Sequence, residues 1–249
     1  MRIPLILPVL AGLTSALAAD NDDLSRQATD PTASLMALNF QTTWVGGYHG
    51  ADVAGEDDKA WSFQFRPVIP FEALGHPNIL RATIPFQVGG RGDEGFGPIT
   101  IFDLMVFNET WGRWGFGPVM SFDTTGDAPD EFVIGPAVGG VWQVNKKFNV
   151  GLFTQNVFWN DTAVTQIQPV LAYQLGDGWS ISAGDLQFTY DWEAGRWVDI
   201  PIGFQLGKVV NLGGLPTRFA INPQYNLKND RGLQEWSVTF TFTALFPTK

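Results

Sequence analysis

The segment from Glu235 to Phe246 alternates without a break, with Trp236, Val238, Phe240, Phe242, Ala244 and Phe246 on one side and Glu235, Ser237, Thr239, Thr241 and Thr243 on the other. A period of two is an extended strand with one apolar and one polar face. A row this rich in Trp and Phe has to be covered, either by a protein core or by lipid. The same alternation recurs along the chain from residue 36. Nowhere after the first residues is there a continuous apolar run of the ~20 residues that a transmembrane helix needs. The chain therefore reads as all-β, a sandwich around its own core or a barrel in a membrane.

The N-terminus bears on that choice. "MRIPLILPVLAGLTSALAAD" has a basic start at Arg2, an apolar run from Ile3 to Leu13 interrupted by Pro4 and Pro8, and small residues at Ala16 and Ala18. This three-part pattern reads as a secretory signal peptide, residues 1–18, cut after Ala18. Residues 19–35 follow as a periplasmic N-terminal segment and residues 36–249 as the barrel domain. An exported chain with no cysteine has no disulfide framework and no thiolate chemistry, so burial or sheet closure must stabilise it. With 25 acidic residues against 15 basic ones, nucleic acid is not a partner.

The alternating units map to strands at about 36–48, 60–70, 79–88, 98–108, 114–123, 132–142, 148–158, 164–175, 179–190, 197–207, 216–227 and 235–246. An even count of twelve suits a bacterial antiparallel transmembrane barrel, with ten as the alternative. "ALGHPN", "TWGR", "QVNKK", "LGDG" and "KVVNLGGLP" are mostly short connections that hold several basic residues. "GGYHGADVAGEDDKA", "GGRGDEGFG", "DTTGDAPDE", "NDTA", "DWEAGR" and "KNDRGLQ" include the longest ones and are mainly acidic. Short turns on the periplasmic side and longer loops outside are the outer-membrane arrangement. The tryptophans fall at strand ends, where interfacial girdles belong: Trp44, Trp61, Trp159, Trp192, Trp197 and Trp236 toward the long loops, Trp111, Trp114, Trp142 and Trp179 toward the short turns. Proline recurs inside the strands, at Pro67, Pro85, Pro118, Pro136, Pro169, Pro201 and Pro223. Since proline cannot donate to a ladder, these sites are expected to be bulges, kinks or local breaks in pairing.

"FRPVIPFEALGHPNILRATIPF", "ITIFDLMVFNETWGRWGFGPVMSF" and "YDWEAGRWVDIPIGFQLGKV" resemble a family of bacterial outer-membrane barrels grouped with the meta-pathway phenol-degradation proteins and filed as transporters. The resemblance covers most of the chain after Asp30 and rests on strand patterns. It implies an outer-membrane barrel with a role in uptake of small compounds, aromatic ones among them, and it carries no catalytic residues. Outer-membrane barrels end on an aromatic residue read by the assembly machinery; here "PTK" follows Phe246, which is taken as the end of that signal.

The chain offers little for catalysis. A lipid-modifying barrel enzyme needs a His, an acid and a Ser at one interface. Only His49, with Asp52 nearby, and His76, in a turn, are present, and no Ser stands in a nucleophile motif. "DTTGDAPDE" is rich in carboxylates without the spacing of a calcium loop. No catalytic site, metal or cofactor is expected.

What remains is the lumen. If the apolar faces meet lipid, the partner faces point inward and bring Ser62, Gln64, Arg66, Arg81, Thr83, Gln87, Gln166, Gln168, Gln174, Arg218, Asn222, Gln224 and Asn226 into the interior. Asp103, Asp185 and Asp199 should join them, because lipid penalises charge. Arg66 and Arg81 lie on neighbouring strands, repel, and call for partners among these three carboxylates at a constriction. Together these features favour a channel for small, weakly polar or aromatic solutes. A closed structural or adhesive barrel acting through acidic loops is the alternative, and a lipid-modifying enzyme comes third. The expected partners are outer-membrane lipid and lipopolysaccharide, the barrel-assembly machinery through the C-terminal strand, and a small-molecule solute.

Overall fold

Alternating segments punctuated by Gly, Asn and Asp fold locally into hairpins. In the computed structural model the hairpins join edge to edge into one closed antiparallel barrel of twelve strands, so the ten-strand alternative falls away. The structure describes residues 20–50, 59–89, 94–124, 132–159 and 162–247; the segment read as a signal peptide, residue Asp52 and most of the "DTTGDAPDE" loop lie outside them. The strands are β1 (Met36–Tyr48), β2 (Ala60–Ala73), β3 (His76–Gly89), β4 (Ile99–Glu109), β5 (Gly112–Phe122), β6 (Phe132–Gln143), β7 (Phe148–Trp159) and β8 (Thr162–Gly176). β9 comes in two pieces (Trp179–Ser182 and Phe188–Asp191) and β10 in three (Arg196–Asp199, Pro201–Gly203 and Gln205–Leu212), followed by β11 (Leu215–Asn226) and β12 (Gln234–Phe246). β12 closes the sheet against β1, with Met36 opposite Phe246 and Phe40 opposite Phe242.

Three hairpin turns at one end share a geometry. Leu74–Gly75, Asp177–Gly178 and Gly213–Gly214 are pairs with positive φ at both residues (54° and 76°, 52° and 77°, 59° and 93°). Two left-handed residues in succession match the right-handed twist of the flanking strands, which is why tight hairpins favour them. Gly213 and Gly214 adopt that conformation without strain, whereas Leu74 and Asp177 adopt it against their Cβ. Both barrel ends, Met36 and Phe246, lie at this same short-turn end, the periplasmic one.

The outer surface is apolar at mid-height and aromatic at its rims. Phe40, Phe63, Leu152, Leu171, Phe219 and Phe240 are all exposed. At the long-loop rim Trp44 meets the edge of Trp236 at 4.9 Å and lies 6.5 Å from Trp61, while Tyr190 packs between Trp192 and Trp197. At the short-turn rim Phe107 stacks on Trp114 at 4.6 Å, and the Lys208 ammonium sits 4.7 Å above Trp179. An apolar band of this extent between two aromatic girdles is the exterior of a barrel in the bacterial outer membrane.

The prolines mark local breaks in pairing: on one side of the strand the ladder lapses beside Pro67, Pro85, Pro118, Pro136, Pro169 and Pro223, and the break at Ile200 directly precedes Pro201. The ladder lapses beside Pro67 and Pro118 without a change of register, and Pro118 stands directly opposite Pro136. The register shifts fall elsewhere, at Val45–Tyr48 of β1, Trp179–Ser180 and Thr189–Tyr190 of β9. The largest irregularity is the interruption of β9 and β10. Residues 183–187 leave the wall between the two pieces of β9, and β10 is broken at Ile200 and Phe204.

Candidate functional site

The interior has two unlike sectors. Along β3 to β7 the inner face carries an apolar group among its polar residues: Ile79, Phe102, Leu104, Val106, Val119, Ala137 and Phe153 form one cluster, each at most 2% exposed. Gly139 on β6 makes room for Phe153, whose ring would meet a Cβ there at 2.6 Å. From β8 through β12 to β2 the inner face is polar, with Gln168, Gln205, Arg218, Asn222, Thr239, Thr241, Thr243, Gln41 and Arg66 all buried.

This division corrects the expectation for Asp103. β4 reads "ITIFDLMVFNE", apolar on both faces, so alternation alone does not choose which face turns inward. Register decides: Thr100 pairs with Thr83 and Phe102 with Arg81, which places Phe102, Leu104 and Val106 inside and Asp103 outside, opposite the outward Leu80. Its Oδ1 is covered by neighbours and has no hydrogen-bond partner. One carboxylate thus faces the lipid side because moving it inward would turn the whole strand over.

Asp185 is carried into the lumen by the 183–187 excursion of β9. Its Oδ2 accepts from Gln41 Nε2 at 2.6 Å on β1 and from Arg66 Nη1 at 2.9 Å on β2. Its Oδ1 accepts from Gln168 Nε2 at 3.4 Å on β8. The carboxylate therefore ties β9 across the lumen to β1 and β2. Gly184 permits the turn with φ of 67°, packed against Gln205 and Asn222, where a Cβ would be 2.9 Å from each.

The other cations are held differently. Arg81 has its guanidinium carbon 4.3 Å above the Phe102 ring and 6.0 Å from that of Phe153, and its Nε has no hydrogen-bond partner. Arg218 lies over Gly207 and donates to Gln205 Oε1 at 2.8 Å, with its Nε also unpartnered. Among the described residues no carboxylate comes within ion-pair distance of Arg81 or Arg218.

Two cavities meet at this cluster. The larger, about 800 Å³, opens toward the long loops; Gln64, Gln166, Thr83, Gln224 and Asp199 line it. Asp199 thus faces inward but pairs with none of the three arginines. The smaller, about 140 Å³, lies on the periplasmic side and is lined by Gln168, Arg218, Leu35, Val68, Ile79 and Leu245, among others. Gln41, Arg66, Arg81 and Asp185 line both, and so form the partition between them.

The periplasmic mouth is filled by the N-terminal segment. Helix α1 (Asn21–Ala28) is capped by Asp20, whose side chain accepts from the Asp22 amide, with Asp22 and Asp23 in its first turn and Arg26 in its last, as the helix dipole favours. Leu24 is fully buried against Leu35, Ala37, Val209 and Leu245. Asp22 accepts from the Gly178 amide in the β8–β9 turn, Arg26 donates to Gln143, and buried Asp30 pairs with Arg113 at 2.5 Å. The segment is pinned to both sides of the mouth. Ser25 of the helix, together with Asn149, Gln174 and Ser180 on β7 to β9, has buried polar atoms without partners, places where bridging water belongs.

Neither histidine contacts a Ser or a carboxylate among the described residues. His49 Nε2 bonds the Asn226 carbonyl at 3.0 Å and meets Tyr225 edge-on, and His76 packs on Phe107 at 4.9 Å. Sequence reasoning passed over Gln41, whose place on the inner face of β1 was available from its alternation with Phe40 and Thr42. It also missed the apolar inner cluster, for which alternation carries no signal.

The class defined by this fold and lumen is the bacterial outer-membrane β-barrel. No family model and no curated protein matches the chain. Among solved structures it is similar to the COG4313 outer membrane channel from Pseudomonas putida F1, with 12% identity and a TM-score of 0.58 over 87% of this chain and 99% of that one. It is also similar to the KdgM porin, at 7% identity and a TM-score of 0.46 over 86% and 99%, and to outer membrane phospholipase A from Escherichia coli, at 12% identity and 0.46 over 92% and 99%. The first of these likenesses shows a shared barrel fold.

Proposed function

We propose that the barrel is a narrow channel for small, weakly polar or aromatic solutes, with its narrowest point at Arg66, Arg81, Asp185 and Gln41. The observation that carries this reading is the meeting of the two cavities: a wide outer cavity and a smaller inner one share those four residues in their linings. Side chains at such a partition can part without moving the wall. The fold shared with the COG4313 channel agrees with a channel role. The apolar sector beside the partition suits solutes that are only weakly polar.

One observation favours the second reading, a closed structural barrel: helix α1 occupies the periplasmic mouth through Leu24 and the Asp30–Arg113 pair. Planar-bilayer recording separates the two. A channel gives discrete conductance steps, larger when Leu24→Asp loosens the helix. Absence of steps and of solute flux in both the native protein and this variant would reject the channel.

A further inference from the structure

The partition holds more positive charge than the fold itself uses. Arg66 has Asp185, but Arg81 and Arg218 line the inner cavity without a carboxylate of their own, each with a buried guanidinium nitrogen that has no partner. A guanidinium stays protonated, and a buried one calls for an acceptor. The Phe102 ring covers one face of Arg81, so the free donors of that group lie along its edge, the fork geometry that takes a carboxylate. Phe102, Ile79, Val68, Leu35 and Leu245 give the same cavity an apolar wall.

A cavity with a cationic end and an apolar end selects molecules built the same way. We infer that the inner cavity is a binding site for small organic monocarboxylates whose anionic head meets Arg81, with Arg218 as second donor, and whose flat apolar body lies against Phe102. The inference rests on the channel reading only in that solutes reach the lumen. Neutral analogues lack the head, and acetate lacks the body.

The test is calorimetric titration of the folded, detergent-solubilised protein with sodium benzoate, benzyl alcohol and sodium acetate. Benzoate should bind at least ~10-fold more tightly than either of the others, a gap of about 1.4 kcal/mol. Arg81→Gln should remove that preference over benzyl alcohol, and Phe102→Leu should weaken benzoate while leaving acetate unchanged. Equal affinity for benzoate and benzyl alcohol in the native protein would overturn the assignment, whether or not Arg81→Gln assembles. So would full benzoate affinity in an assembled Arg81→Gln variant. Bilayer recording keeps the two readings apart: benzoate binding without conductance retains the site and rejects the channel, and conductance without benzoate binding does the reverse.

Discussion

Neutralising Asp185 should loosen the barrel at its centre. In Asp185→Asn the side chain keeps its shape and one acceptor oxygen, but Arg66 then lines the inner cavity with Arg81 and Arg218 and without its ion-pair partner. Breaking a buried pair by removing one partner costs about 3–5 kcal/mol when both charges are fully enclosed. Here the Asp185 side chain is 31% exposed and that of Arg66 10%, and the lumen admits water. Screening brings the expected loss to about 1–3 kcal/mol. Urea titration of the protein folded in lipid vesicles, followed by gel mobility and tryptophan fluorescence, would measure it. Because the penalty comes from an orphaned cation, Arg66→Gln combined with Asp185→Asn should be more stable than Asp185→Asn alone. A double-mutant cycle should give a coupling of at least about 1 kcal/mol. Strictly additive effects, or an Asp185→Asn variant as stable as the native protein, would refute the tie that Asp185 makes from β9 to β2. In planar bilayers the same single variant should shift reversal potentials toward greater anion preference.

Three other expectations follow from the assignment of faces. Phe240→Arg, on the exposed apolar band, should impair insertion into vesicles by about 2–4 kcal/mol, whereas Thr239→Arg, facing the large cavity, should assemble nearly as well as the native chain. Asp103→Leu should raise stability by about 1–2 kcal/mol in urea titration in vesicles, since it removes an outward carboxylate with an unpartnered oxygen. Arg113→Gln, which leaves buried Asp30 unpaired, should release the N-terminal segment, read as protease cleavage near residues 20–35 with the barrel still heat-modifiable.

The strands were legible because the lipid writes its demand at every second position. Segments such as β12, with Phe, Trp and Val facing one way and Thr the other, fix both their extent and their orientation. The inward placement of Arg66, Arg81 and Arg218 followed from the same rule. The rule lost its grip where both faces are apolar, as in β4, and Asp103 came out on the opposite side from the one its charge suggested. The broken β9 and β10 read as two ordinary strands, since each fragment alternates and only tertiary contacts at Asp185 show why the wall turns in. Helix α1 is too short to announce itself over Asn21–Ala28, and what holds it is the barrel rather than propensity.

The split interior also separates the bore from the size of the cylinder. In an evenly lined barrel, width follows from the number of staves. Here seven hydrocarbon side chains fill part of the interior, and the two cavities occupy what they leave. Trimming Phe102, which lines the inner cavity, to a smaller residue would enlarge that cavity while leaving every backbone hydrogen bond of the wall in place. The space inside such a cylinder is therefore open to point mutation, with no need to add or remove a hairpin.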